Sequence, residues 1–210
     1  MTYRESSDEY AVGMQIPGSL TMNPPVAEND PTVSYRLNHF MLRIRDPKPT
    51  MHFYIDLMGM RTIFITNIGP ITVYYLGYPQ TAAHRADPAA FARETMPQPT
   101  MSSISGLLEL CHYHESENQV DSYIVPGHKP PCLGFNHLGF TVPDVNAAVE
   151  RLRTAGVKVV KNVGEGPNDS IPSTQWERQT LGIATDDIDS GFAHILSQIA
   201  FYVSTLARSV

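Results

Sequence analysis

The stretch Asn38-His39-Phe40-Met41-Leu42-Arg43-Ile44-Arg45-Asp46 decides the fold, because it returns at 136–144 as Asn136-His137-Leu138-Gly139-Phe140-Thr141-Val142-Pro143-Asp144. Each copy reads Asn-His, six residues, then Asp. Each then runs into a helical period. Met51, Tyr54, Ile55 and Met58 stand at i, i+3, i+4, i+7, and so do Val145, Ala148, Val149 and Leu152. Asp46 before Pro47 is a good N-cap followed by a good first helical residue, and Asp144 can cap likewise. Gly59 and Gly156 are placed to end the two helices. Strand-prone runs follow at 60–65 and 157–160. Chance supplies Asn-His twice far more readily than strand, cap, helix and stop in one order twice.

Further strand patterns at 61–66, 71–77 and 104–113 make the first half βαβββ. The second half begins as βαβ and then loses its pattern. The expected class is α+β. Residues 1–33, rich in Pro, Ser, Asn, Asp and Glu, read as a mobile tail. Residues 34–125 form the first module and 126–210 the second. Long loops are expected at 79–103, with a short helix near 88–94, at 114–133 between the halves, and at 163–193.

Strand alternation sorts the side chains. Phe40, Leu42 and Ile44 share an apolar face, as do Leu138, Phe140 and Val142. His39, Met41, Arg43 and Arg45 lie opposite the first set, and His137, Gly139 and Thr141 opposite the second. Both histidines therefore turn away from their helices, and two sheets meeting through these faces would line one cleft with both imidazoles. On 104–113, Glu109 falls between Leu108 and Leu110, where a charge is costly unless paired or bound to a metal. His39, Glu109 and His137 would make a nitrogen/oxygen metal site. A strand histidine is more often an ordinary polar residue. The equivalent placement of these two sets them apart from His52, His84, His112, His114, His128 and His194, which read as ordinary.

The bulk numbers narrow the partners. The 210-residue chain is 42% hydrophobic and 17% charged, with a formal net charge of -6. Lys and Arg are scattered, so neither nucleic acid nor an anionic membrane is an expected partner. The two cysteines, Cys111 and Cys132, form no CxxC pair. No apolar run approaches the ~20 residues of a bilayer span. A cytoplasmic protein is expected.

The stretches 39–60, 107–112 and 134–161 together resemble glyoxalase I, the lactoylglutathione lyase of the vicinal-oxygen-chelate superfamily. The resemblance implies paired βαβββ modules, the second here missing its last strand. It implies one divalent metal ion, Zn or Ni, held by His39, Glu109 and His137. Arg43 matches the arginine that grips a glutathione carboxylate, roughly 13 Å from His39 at strand rise. Tyr113 stands where the family often has Asn, and Leu133 where it often has Arg, so Tyr113 is a substrate-binding candidate. The implied substrate is the methylglyoxal–glutathione hemithioacetal. The implied chemistry is proton abstraction next to the carbonyl by a glutamate, then return of the proton to the adjacent carbon to give S-lactoylglutathione. Glu109 is the catalytic candidate in this chain.

One departure matters. The family's fourth ligand is a glutamate on the last strand of the second module. Here Ile199-Ala200-Phe201 is followed by YVSTLARSV, and no acidic residue occurs after Asp189. Glu177, Asp186, Asp187 or Asp189 could substitute only if the third loop folds back on the metal. The expectation is a lyase of impaired activity, with a homodimer as the expected assembly. The alternatives are an inactive relative that binds or dimerises, and an iron-dependent dioxygenase of the same superfamily.

Overall fold

The computed structural model describes residues 25–125, 127–165, 173–182 and 195–203. The expected tail therefore lies mostly outside the described residues, as do much of the third loop, Asp186, Asp187, Asp189 and His194.

The first module is built as its pattern requires. Strand β1 (His39–Ile44) leads to α1 (Pro47–Met51). Asp46 caps α1 by accepting from the Lys48 backbone N–H at 2.9 Å, and Pro47 takes the first turn, where no N–H is needed. The helix then widens into a π-helical segment, His52–Leu57, with Met58 N–H bonded to Phe53 O at 2.9 Å. Gly59, at φ +79°, ends it in the left-handed region that a side chain disfavours. Strands β2 (Arg61–Asn67), β3 (Ile71–Gly77) and β4 (Leu107–Tyr113) complete a mixed sheet ordered β1-β4-β3-β2. β1 runs parallel to β4, and the other pairs are antiparallel.

Burial follows the alternation. Ile44, Leu76, Leu108 and Leu110 pack with Phe53 and Tyr54 of the helical segment in one core. Among the described residues, the opposite sheet face is covered at one end. There the stretch expected as a loop folds into α2 (Ala82–Ala86), α3 (Pro88–Thr95) and α4 (Gln98–Met101). Phe91 and Met101 bury against Ile63, Tyr75 and Leu107 in a second cluster. The Pro and Ala content that suggested a loop serves short helices instead. Asp87 caps α3 through Ala89 and Ala90 N–H groups, with Pro88 in its first turn.

The link between the halves contains a short hairpin, β5 (His128–Lys129) with β6 (Cys132–Leu133). Helix α5 (Val145–Thr154) is capped by Asp144, which accepts from Ala147 N–H at 2.9 Å, and it ends at Gly156, φ +80°. β7 (Lys158–Lys161) pairs antiparallel with β8 (Phe201–Val203), and α6 (Gln175–Leu181) lies between them in the chain.

The strand expected at 136–142 is absent, which corrects the second module's βαβ opening. A strand needs a hydrogen-bonding neighbour, and among the described residues no strand pairs with this segment. Its alternation survives without a ladder: Leu138, Phe140 and Val142 are half-buried, and His137, Gly139 and Thr141 are exposed. Leu138, Phe140, Leu152, Val157 and Tyr202 join the core of the first module. Phe53 meets Tyr202 with ring centroids 5.7 Å apart, and Tyr54 meets Phe140 at 6.5 Å. The apolar side of the second half is thus spent on the helical side of the first sheet. It does not form the opposing wall of a cleft.

Candidate metal and substrate site

His39 opens β1 and Glu109 lies in the middle of the adjacent strand β4. The parallel register sets His39 opposite Leu107 and Met41 opposite Glu109, so the two side chains share a face two positions apart. Their reacting atoms meet: His39 Nε2 is 3.3 Å from Glu109 Oε2, with side chains 40% and 24% exposed. That exposure is enough for a ligand to reach them. Tyr75, on β3, lies beside the pair with its ring 5.4 Å from that of His39. Burial, then the Glu109 charge, pushes the Tyr75 phenol above its ordinary value, which keeps it a donor.

Arg43 and Tyr113 lie further along the same face. Both are exposed, with Arg43 paired in register to Cys111. Cys111 donates to Glu109 Oε1 at 3.5 Å. Its thiol is pushed up to about 11, first by burial and then by the hydrogen bond and charge of Glu109, against the Arg43 charge. The open face therefore runs from an imidazole–carboxylate pair, past a neutral thiol, to a cation.

The structure does not gather all the predicted ligands. Among the described residues, no three His, Cys, Asp or Glu side chains come together as a metal would need. His137 is exposed and stands edge-on to Phe201, with centroids 6.2 Å apart. Glu177 is buried and closes a capping box with Thr174, so it serves α6. β8 itself carries Phe201, Tyr202 and Val203 and no carboxylate. His39 and Glu109 fit a borderline divalent ion by donor type and spacing, as half of a donor set.

Four of the histidines read as ordinary have local partners. His52 meets Asp56 at 2.7 Å, His84 meets Glu94 at 2.8 Å, His112 meets Glu117 at 2.8 Å and His114 meets Thr72 at 2.8 Å. Asn38 and Tyr75 escaped sequence reasoning. For Asn38 the signal was present, because Asn precedes the histidine in both copies. For Tyr75 there was none, since it reaches the site through strand pairing alone.

The sequence profile of the Glyoxalase/Bleomycin resistance protein/Dioxygenase superfamily matches residues 36–187. The chain belongs to this superfamily. It is 33% identical to "Glyoxalase I" of Saccharomyces cerevisiae over 69% of this chain and 42% of that one. It is 36% identical to the "Lactoylglutathione lyase" of Pseudomonas aeruginosa over 69% of this chain and 81% of that one. The match thus spans less than half of the yeast relative. A solved structure of Leishmania major glyoxalase I overlaps at TM-score 0.41 and 23% identity, over 60% of this chain and 70% of that one. That likeness is too loose to carry weight. The mixed α+β module with a mixed sheet agrees with the superfamily's fold. Among the described residues, no helix is long and apolar enough to cross a membrane.

Proposed function

We propose that this chain is a metal-dependent lyase of the glyoxalase I type, acting in the cytoplasm on the methylglyoxal–glutathione hemithioacetal. The observation that carries the reading is the His39–Glu109 pair at 3.3 Å on an open sheet face. His39, Glu109 and His137 would hold one divalent ion, Zn or Ni. Such an ion, when bound, acts as a Lewis acid toward the vicinal oxygens of a substrate. Glu109 would take the proton next to the carbonyl and return it to the neighbouring carbon. Arg43 would hold a glutathione carboxylate further along the face, and Tyr113, one same-face position beyond the Arg43–Cys111 pair, would flank that carboxylate. A lowered activity relative to the named relatives is part of the proposal, supported by the lack, among the described residues, of a further carboxylate or imidazole gathered with His39 and Glu109.

His137 would reach the pair from a second copy of the chain. Among the described residues β1 is an edge of its sheet, with one strand neighbour, β4. Segment 136–142 keeps a strand's alternation and, among the described residues, has no ladder of its own. A homodimer that lays this segment along the partner's β1 would satisfy both.

The test is turnover of the hemithioacetal with added Zn²⁺ or Ni²⁺, in wild type, His39→Ala, His137→Ala and a mixture of the two variants. Each variant alone should be inactive. The mixture should recover up to about a quarter of wild-type activity if sites are shared between copies. No recovery would remove the shared site. Metal uptake without turnover would identify a binding relative, and Fe²⁺-dependent oxygen uptake a dioxygenase. Wild-type protein that takes up no metal would remove the reading altogether.

A further inference from the structure

We infer that Asn38 is a positioning residue that sets which nitrogen of His39 is offered to the metal, an inference that rests on the functional reading above. The argument begins with the Asn38 amide. Its Nδ2 donates to Met101 O at 2.9 Å and to Ile104 O at 2.7 Å. Both partners are carbonyls and can only accept. A flipped amide would set its oxygen against two carbonyl oxygens at those distances. The orientation is therefore dictated by the α4 end of the chain, and Oδ1 faces the ring.

The imidazole follows from the amide. His39 Nδ1 lies 2.8 Å from Asn38 Oδ1, which has no proton to give. Nδ1 must carry the hydrogen and donate it. The Tyr75 hydroxyl donates to the same oxygen from 3.4 Å, which adds to its acceptor role. With Nδ1–H committed, a neutral His39 has its lone pair on Nε2. That atom faces Glu109 Oε2 at 3.3 Å, itself an acceptor. Two acceptors aimed at one point leave a place between them for a metal ion or, on a charged ring, for a proton.

Ligating histidines commonly donate their second nitrogen to an acceptor that fixes ring and tautomer. Here the acceptor is the preceding residue, locked by a helix some sixty positions later in the chain: Asn38 to Met101 is a separation of 63. The contact recurs in the second copy, where His137 Nδ1 lies 2.8 Å from Asn136 Oδ1. The repeated Asn-His dipeptide thus makes the same contact in both copies, and in the first the amide is also fixed from outside.

Two measurements test it. The first needs no metal: nitrogen-15 correlation spectra of the His39 ring in metal-free Glu109→Ala, at a pH where the ring is neutral. With the carboxylate gone, Asn38 alone should hold the hydrogen on Nδ1. Adding Asn38→Ala should move it to Nε2, the form free histidine prefers. A hydrogen on Nε2 in Glu109→Ala overturns the inference, and this parent spectrum decides even if the double variant fails to fold. The second is zinc titration, where Asn38→Ala should weaken binding by about 10- to 100-fold. Unchanged affinity in Asn38→Ala, with His39→Ala impaired, also overturns it. If His39→Ala binds zinc as well as wild type does, the functional reading fails instead, and the tautomer spectrum still decides the role of Asn38.

Discussion

Glu109 sits between Leu108 and Leu110, whose side chains belong to the core behind it, while its own turns to the open face. Replacing it with glutamine keeps the shape and removes the ability to take a proton. Glu109→Gln should lower kcat by about 10²- to 10⁴-fold with an unchanged circular dichroism spectrum. A kcat within threefold of wild type, about 0.7 kcal/mol in barrier, would argue against its role as the base. Two residues along, Cys111 makes a second prediction. Its thiol is held up at about 11, so it stays protonated at neutral and mildly alkaline pH. Cys132 is exposed. Labelling with a thiol reagent near neutral pH should modify Cys132 quickly and Cys111 slowly, with Cys111 accelerating only as pH approaches 11. Equal rates read by peptide mass spectrometry would contradict this.

At the scale of elements, the second half depends on one buried lysine. Lys161 ends β7, is 1% exposed, and donates to Leu196 O at 2.8 Å, Ile199 O at 2.9 Å and Asn162 O at 3.1 Å. It ties β7 to the turn that leads into β8. Lys161→Met fills the same volume and strands those carbonyls, at a cost on the order of 2 kcal/mol. The melting temperature should fall, and amide exchange at Val159 and Tyr202, which pair across β7 and β8, should quicken more than exchange in β3 and β4. Uniform quickening throughout would show that Lys161 acts globally and not on this element.

At the scale of the whole molecule, one core serves both halves, and two tyrosines sit within it. Burial holds the Tyr54 and Tyr202 phenols far above the ordinary tyrosine value. The unfolded chain ionises tyrosine near pH ~10. A folded-state value raised above the unfolded one contributes stability that is fully present below that pH and lost as pH rises past it. Unfolding on the alkaline side, followed by circular dichroism, should therefore begin as pH exceeds about 10. Tyr54→Phe, which has nothing to ionise, should move the midpoint upward. An unmoved midpoint would place the alkaline weakness elsewhere. Because Tyr202 packs on Phe53 and donates to Met58 Sδ at 3.9 Å, both halves should unfold in one transition.

The legible parts of the molecule are those set by near neighbours. Asp46 and Asp144 cap, Gly59 and Gly156 stop, and 71–77 alternates, all through interactions within a few residues. Alternation along each strand by itself also set His39 opposite Phe40, Leu42 and Ile44, and Glu109 opposite Leu108 and Leu110, before any distance was known. What could not be read depends on distant partners. The stretch 79–103 is polar and Pro-rich, yet Phe91 and Met101 find Ile63 and Leu107 to bury against. Segment 136–142 has a strand's pattern, yet no neighbour among the described residues completes a ladder.

The repeat 38–46 and 136–144 by itself determined the class of the fold, the equivalent sequence positions of His39 and His137, and the resemblance to the superfamily, because these follow from local period and residue type. Only the tertiary structure decided that Glu109 meets His39, that Met101 and Ile104 lock Asn38 behind the ring, and that His137 stands apart. Those three depend on which surfaces meet across long separations. That is settled by where apolar area finds cover, and here the second half found it on the helical side of the first sheet.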